Sequence, residues 1–180
     1  MDNKQRIYKL TVCSLMAALM CVLGPMSIPI GPVPVSLTSF VIYLTVFLLG
    51  SKLSVVSCLV YLALGVVGFP VFSGFQGGLQ KLAGPTGGYL IGFILMAFIS
   101  GIVLEKANRK AVLTVLGMFA ATLIDYLFGT AWFVFQMKCG VWYALTVCVF
   151  PFIVFDIIKI VIATLIGQTL RTALQKSGLI

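Results

Sequence analysis

Histidine is missing from this 180-residue sequence, and charged residues make up only 9% of it. Without histidine the chain lacks the commonest general base and the usual ligand of catalytic zinc and haem. The five cysteines are odd in number and show no C-x-x-C spacing, which argues against a disulfide framework or a zinc knuckle. No G-x-x-x-x-G-K-[ST] motif for nucleotide binding occurs either. We therefore expect no catalytic residue, no metal site and no cofactor, and the chain is not predicted to be an enzyme.

Acidic residues are also scarce, with four against twelve lysines and arginines and a net charge of +8. Membrane enzymes that act on lipids or isoprenoids usually carry aspartate-rich, histidine or cysteine constellations, so this alternative is disfavoured. The basic residues are scattered between apolar runs and form no patch or aromatic-interleaved stripe. Nucleic acid is therefore not an expected partner.

Apolar residues are abundant, at 61% of the chain, and they form long runs without charge. This composition predicts an all-α integral membrane protein whose surroundings are the lipid bilayer. We predict one transmembrane substrate-binding domain over residues 1–180, with a long Gly/Pro-rich outer loop between the third and fourth of six transmembrane helices. The predicted spans are residues 8–23, 35–49, 53–67, 88–104, 111–128 and 150–170.

Nine of the twelve basic residues fall on one side of these spans: Lys4, Arg6, Lys9, Lys52, Lys106, Arg109, Lys110, Arg171 and Lys176. Basic residues mark the cytoplasmic side of a membrane protein. Both termini are therefore predicted to be cytoplasmic, in a multi-pass protein of the cell membrane.

The segment V-F-P-F-I-V-F-D-I-I-K, residues 149–159, places an acid and a base inside an apolar run. Asp156 and Lys159 are three positions apart, so they share one face of a helix. Each costs roughly 2.5–3.5 kcal/mol alone at a bilayer centre. An acceptor and a donor on one apolar face suit a neutral, planar ligand with N–H and C=O groups, such as a urea or amide. The alternative is an ion pair that only neutralises itself.

Residues 68–92 combine many glycines with apolar and aromatic residues, which is unusual for a solvated loop. Irregular backbone at membrane depth lines a cavity or is buried in protein, so we expect a lid or re-entrant wall on the outer side. Lys81, its only charge, either meets a ligand carboxylate or is solvated. The other candidate ligand contacts in this segment are Gln76, Phe72, Phe75, Gly77, Gly78 and Tyr89.

Two further features leave alternatives open. Asp125, placed near the outer end of the fifth span, is either hydrated, paired with Lys138, or a ligand contact. In the first span Cys13, Ala17 and Cys21 form a stripe of small residues four apart, which lets another helix approach closely. That helix belongs either to the same chain or to a partner protein.

Five motifs together resemble the BioY biotin transporters, the substrate-binding (S) components of energy-coupling factor (ECF) uptake systems. They are P-V-P-V-S-L (32–37), G-F-P-V-F-S-G-F (68–75), G-P-T-G-G-Y-L-I-G-F (84–93), G-T-A-W (129–132) and P-F-I-V-F-D-I-I-K (151–159). The resemblance covers nearly the whole chain. The family often has glutamine where Thr38 stands, and alanines four apart where Ala17 is flanked by Cys13 and Cys21.

The resemblance implies a six-helix membrane fold and high-affinity capture of biotin from outside. It also implies coupling to a transmembrane T component and two cytoplasmic ATPase subunits, because the chain has no ATP site of its own. Asp156 and Lys159 are implied as contacts of the ureido ring, and the loop before the fourth span as the lid. The alternatives are an S component for another small vitamin, or a stand-alone carrier with Asp125 and Asp156 as proton sites.

Overall fold

The computed structural model describes residues 3–30, 33–107 and 110–177. Helices account for most of this chain, with one two-stranded antiparallel hairpin in which Ser27 pairs with Ser36. In chain order the elements are α1 (Asn3–Leu23), β1 (Ser27–Ile28), β2 (Val35–Ser36), α2 (Thr38–Val67), α3 (Leu79–Ala83), α4 (Gly87–Lys106), α5 (Ala111–Met137), α6 (Val141–Cys148) and α7 (Phe150–Lys176).

Helix α2 is broken at Gly50, whose backbone has φ 75° and ψ −169°. A positive φ costs glycine little and other residues more. The side chains of Thr38 and Tyr61 lie close enough to interact. Along one straight helix these two residues would be about 34 Å apart. The chain therefore reverses at Gly50, and the limbs 38–49 and 51–67 lie side by side.

Five stretches of the described chain are long and apolar enough to cross a membrane: Gln5–Leu23, Thr38–Val67, Gly87–Lys106, Ala111–Met137 and Val141–Lys176. The predicted all-helical membrane architecture is confirmed at this level. The prediction of six spans differs from this count at α2. There the predicted second and third spans form one apolar stretch that contains the reversal at Gly50.

The fifth span was predicted to end near residue 128, and this boundary is wrong. Helix α5 continues to Met137 and ends at Lys138, which has φ 50°. Gly129 lies inside this continuous helix, and a Cβ there would collide with the ring of Tyr89. It is a packing residue that lets α4 approach α5. Asp125 therefore lies in the middle of α5 and not near its outer end.

The end of the bundle that carries most basic residues is held together by polar side chains. Glu105 Oε1 accepts hydrogen bonds from the Ser51 backbone N–H at 2.8 Å and from its hydroxyl at 3.0 Å, which caps the second limb of α2. Arg171 Nη1 donates to the Phe47 carbonyl at 3.2 Å. Arg109 and the side chain of Lys4 lie outside the described residues.

The opposite end carries the segment predicted as a lid, residues 68–92. It contains the short helix α3, and its last residues already belong to α4. Two side chains of the last turns of α5 hold it in place. Trp132 Nε1 donates to the Gly84 carbonyl at 3.0 Å, and Gln136 Nε2 donates to the Ala83 carbonyl at 2.5 Å. This segment is therefore tied to the bundle rather than extended from it.

Candidate ligand-binding cavity

A cavity of about 70 Å³ opens at the end of the bundle opposite the basic residues. Helices α2, α4, α5 and α7 form its walls, and the β2 strand and residues 73–86 lie over it. Its apolar lining includes Leu90, Phe93 and Met96 of α4 and Phe152 of α7. The polar lining comes from Ser36, Ser39, Ser73, Lys81, Thr86, Tyr89, Thr122, Asp125, Tyr126, Asp156 and Lys159.

Asp156 and Lys159 lie on the α7 wall and form an ion pair with Nζ and Oδ1 3.0 Å apart. Their side chains are only 8% and 12% exposed, so the pair is largely removed from water. Asp156 Oδ1 also accepts from the Ser39 hydroxyl at 3.3 Å, and Oδ2 accepts from the Tyr126 hydroxyl. The predicted placement of this acid and base on one helix face is confirmed.

Lys159 uses all three of its donors within the chain. Nζ donates to the Ser36 carbonyl at 2.8 Å and to the Ser39 hydroxyl at 3.1 Å, in addition to Asp156. A buried ion pair is stable only when further hydrogen bonds satisfy both groups. The α7 wall therefore presents a complete polar network that joins α2, β2, α5 and α7.

The α5 wall presents Thr122, Asp125 and Tyr126, which share one face because they are three and four positions apart. Asp125 is 4% exposed, and its Oδ1 has no hydrogen-bond partner within the described part of the chain. The expectation that Asp125 lies near a span end is wrong, and Lys138, the predicted alternative partner, is exposed beyond the end of α5.

Tyr89 and Lys81 also reach the cavity. The Tyr89 hydroxyl is 3.0 Å from the Thr130 hydroxyl, a hydrogen bond that fixes the ring between α4 and α5. Lys81 lies on α3, outside the apolar spans, and is half-buried. Burial lowers the pKa of its ammonium group from the ordinary value, because removal from water disfavours the charged form.

The other candidate residues of the loop lie outside the cavity lining. Phe72 is fully buried, with its ring perpendicular to that of Tyr61 at 5.6 Å. Phe75 is 69% exposed and lies in a surface groove. Gln76 and Gly77 line a shallow depression on the outer surface that also reaches Lys81. Gly78 precedes α3 with φ 87°, which favours glycine.

The small residues of α1 pack inside the chain. Cys13 and Ala17 are buried, and the Ser57 hydroxyl of α2 donates to the Cys13 carbonyl at 3.0 Å. Cys21 is partly buried against the same core. Of the two alternatives for this stripe, the burial of Cys13 and Ala17 favours the helix of the same chain, and docking of the stripe with a partner stays a prediction.

Sequence reasoning did not find Ser39, Thr122 and Tyr126 of the cavity. Ser39 precedes Asp156 by 117 positions, so only the tertiary fold brings them together. Tyr126 and Thr122 carry a local signal, since they share a helix face with Asp125. The predicted span already contains this face, but its end near residue 128 placed the face at the outer surface rather than beside a cavity.

The chain is similar in sequence, over most of its length, to one family of membrane proteins. A sequence model described as the BioY family matches residues 1–176. A biotin transporter BioY of Thermotoga maritima is 40% identical over 163 residues, covering 91% of this chain and 95% of that protein. A biotin transporter BioY2 of Lactococcus lactis subsp. cremoris is 34% identical over 173 residues, covering 96% and 95%.

The fold also matches a solved structure. The crystal structure of the S-component for biotin from an ECF-type ABC transporter superimposes with a TM-score of 0.89 at 31% sequence identity. The match covers 96% of this chain and 95% of that chain. The similarity therefore extends over both the sequence and the arrangement of the helices.

Proposed function

The chain belongs to the BioY family, and from this membership we propose that it captures biotin in the cavity between α2, α4, α5 and α7. It acts in biotin uptake as the S component of an ECF transporter, in the cell membrane. The observation that carries the proposal is the buried pair of Asp156 and Lys159 inside an otherwise apolar cavity. A pair that is satisfied within the empty protein can share its acceptor and its donor with a ligand that carries both kinds of group.

Biotin fits the chemistry of this cavity. Its ureido ring has N–H and C=O groups for Asp156 and Lys159, and its thiophane ring and aliphatic tail suit Phe93, Met96 and Phe152. Its carboxylate suits the Lys81 ammonium at the mouth.

Other residues of the loop contribute indirectly in this proposal. Phe72 anchors the segment 68–92 in the core, and Gly77 and Gly78 shape the turn into α3. Tyr89 holds the α4 wall, while Gln76 and Phe75 lie where an entering ligand first meets the protein. The segment, which includes α3, serves as the lid of the site.

We further propose that the reversal at Gly50 divides α2 into two crossings, which gives six in all, within a single domain. The termini then lie on the same side as the basic residues, which is the cytoplasmic side by the distribution of lysine and arginine. Uptake requires ATP hydrolysis by partners, a transmembrane T component and two ATPase subunits. The exposed face of α1, which includes Leu10, Leu15 and Val22, is available for this contact, with Cys21 at its margin.

Calorimetric titration of the purified protein tests the ligand. We expect one molecule of biotin to bind tightly, and thiamine and riboflavin to give no heat. Binding of either of those vitamins without binding of biotin would overturn the assignment. Uptake into vesicles tests the class, because an S component needs its ATPase partners and a stand-alone carrier does not. Uptake by this chain alone would contradict the proposal.

A further inference from the structure

The α5 wall of the cavity carries a carboxyl group that the proposed biotin contacts leave unused. Asp125 is 96% buried, since only 4% of it is exposed, and it lines the cavity. Its Oδ1 has no hydrogen-bond partner among the residues that the structure describes. A buried polar group without a partner is costly, and natural proteins keep few of them. The fold of the empty protein therefore gives no reason for a carboxyl group at this position.

The neighbours of Asp125 restrict its position but give its Oδ1 no hydrogen bond. Gly92 of α4 faces the carboxyl group, and a Cβ at this position would collide with Asp125 Oδ1. Thr122, one turn earlier on α5, donates its hydroxyl to the Met118 carbonyl at 2.8 Å and is bonded to the Tyr43 hydroxyl at 2.5 Å. The nearest hydroxyl on the same face is thus already engaged.

The other buried carboxyl group of the cavity, that of Asp156, has hydrogen-bond partners. Both oxygens of Asp156 accept hydrogen bonds, and Lys159 has no spare donor. A cyclic urea carries two N–H groups that point apart on either side of its carbonyl. One carboxylate cannot accept both of them in good geometry. A ligand held by Asp156 and Lys159 therefore has one N–H that requires another acceptor.

We propose that Asp125 is a second ligand-contacting residue, which accepts a hydrogen bond from the ureido N–H that points away from Asp156. This inference rests on the proposed function. A bound metal ion is the other occupant that a free carboxyl group suggests. Among the described residues, however, His, Cys, Asp and Glu form no group of three that could hold one. The cavity is therefore matched to a ligand with two divergent donors, and discriminates against rings with only one.

The test compares two substitutions with three ligands. Asp125→Ala removes the acceptor, and Asp125→Asn keeps its volume with a weaker acceptor. The ligands are biotin and its two cyclic carbamate analogues, in each of which oxygen replaces one N–H. We expect Asp125→Ala to weaken biotin binding at least tenfold and Asp125→Asn to weaken it less. The wild type should bind biotin more tightly than either carbamate. In Asp125→Ala this preference should disappear for the carbamate that lacks the N–H facing Asp125, and it should persist for the other carbamate.

Stability supplies an independent measurement. Because Asp125 Oδ1 has no partner among the described residues, Asp125→Ala should leave the melting temperature of the ligand-free protein unchanged or raise it. Glu105→Gln serves as the matched control, since it removes an acid at the opposite end and should not change biotin affinity. If Asp125→Ala does not yield folded protein, Asp125→Asn is compared with the wild type on the same ligands.

The outcomes separate the two proposals. Absence of biotin binding by the wild type contradicts the proposed function itself. Tight binding by the wild type and equal affinity of both Asp125 variants would contradict only the role of Asp125. A lower melting temperature of the ligand-free variant with unchanged affinity would assign Asp125 to the fold. Affinity that depends on sodium or another cation would also overturn the inference, because the carboxyl group would then hold an ion.

Discussion

The α7 and α5 walls of the cavity each carry a buried aspartate, but the two side chains differ in their bonding. Asp156 accepts from Lys159, Ser39 and Tyr126, whereas Asp125 Oδ1 has no partner in the described chain. The first arrangement contributes to the fold before any ligand arrives. The Asp125 oxygen without a partner lowers the stability of the empty protein until a ligand supplies a hydrogen-bond donor. In the proposed function the α7 wall therefore serves both stability and ligand recognition, whereas Asp125 of the α5 wall serves recognition alone, and measurements on the empty protein and on the complex can separate the two roles.

Removing the cation of the α7 wall should have the largest effect. In Lys159→Met the buried Asp156 loses its ion-pair partner, and breaking such a pair costs about 3–5 kcal/mol. We expect a clear fall in the melting temperature of the ligand-free protein and at least a hundredfold loss of biotin affinity. Lys138→Met, which removes an exposed lysine beyond α5, is the control and should change neither. A variant that melts and binds like the wild type would place the pair outside both fold and site.

A smaller effect is expected for the residue that links the two walls. Tyr126 belongs to α5, yet its hydroxyl donates to Asp156 on α7. Tyr126→Phe removes one hydrogen bond to a charged group, worth about 1.5–3 kcal/mol, and keeps the ring. Thermal unfolding should show a modest loss of stability, and biotin titration a loss of roughly tenfold. Loss of affinity without loss of stability would instead mean that Tyr126 contacts the ligand directly.

The smallest effect concerns the loop above both walls. The pKa of Lys81 is lowered by burial, so its ammonium group loses its proton at a lower pH than an ordinary lysine. Attraction for a ligand carboxylate is present below this pKa and is lost as the pH rises through it. We expect biotin affinity to fall severalfold at alkaline pH in the wild type. Lys81→Arg should keep its affinity to higher pH, and Lys81→Met should bind more weakly at neutral pH without this decline. A decline that is identical in all three proteins would exclude Lys81 as its source.

The α7 wall was largely predictable from sequence, because its two charged residues are neighbours along one helix. A spacing of three inside an apolar run places Asp156 and Lys159 on one face wherever the helix packs. Their hydrogen-bond partners were not predictable, because Ser39 and Ser36 reach them only through the tertiary fold. The turn at Gly50 was also anticipated, since glycine, serine and lysine interrupt two apolar runs.

The α5 wall was missed because one glycine has two possible meanings. Gly129 can end a helix or allow close packing, and local sequence does not distinguish these. Interpreted as an end, it leaves Asp125 near the outer surface, where an acid is unremarkable. The structure uses Gly129 for contact with Tyr89, so α5 continues to Met137 and Asp125 lies beside the cavity. Which of the two roles Gly129 has depends on how α4 packs against it.

The contact between α4 and α5 has a mechanical consequence. At Gly88, Gly92 and Gly129 there is no room for even a methyl group between the two helices. Helices packed this closely cannot hinge or slide against each other, so α4 and α5 move as one rigid unit. Admission and release of a ligand must then occur along the other borders of the cavity. These borders include the β2 strand and residues 73–86, which lie over the cavity.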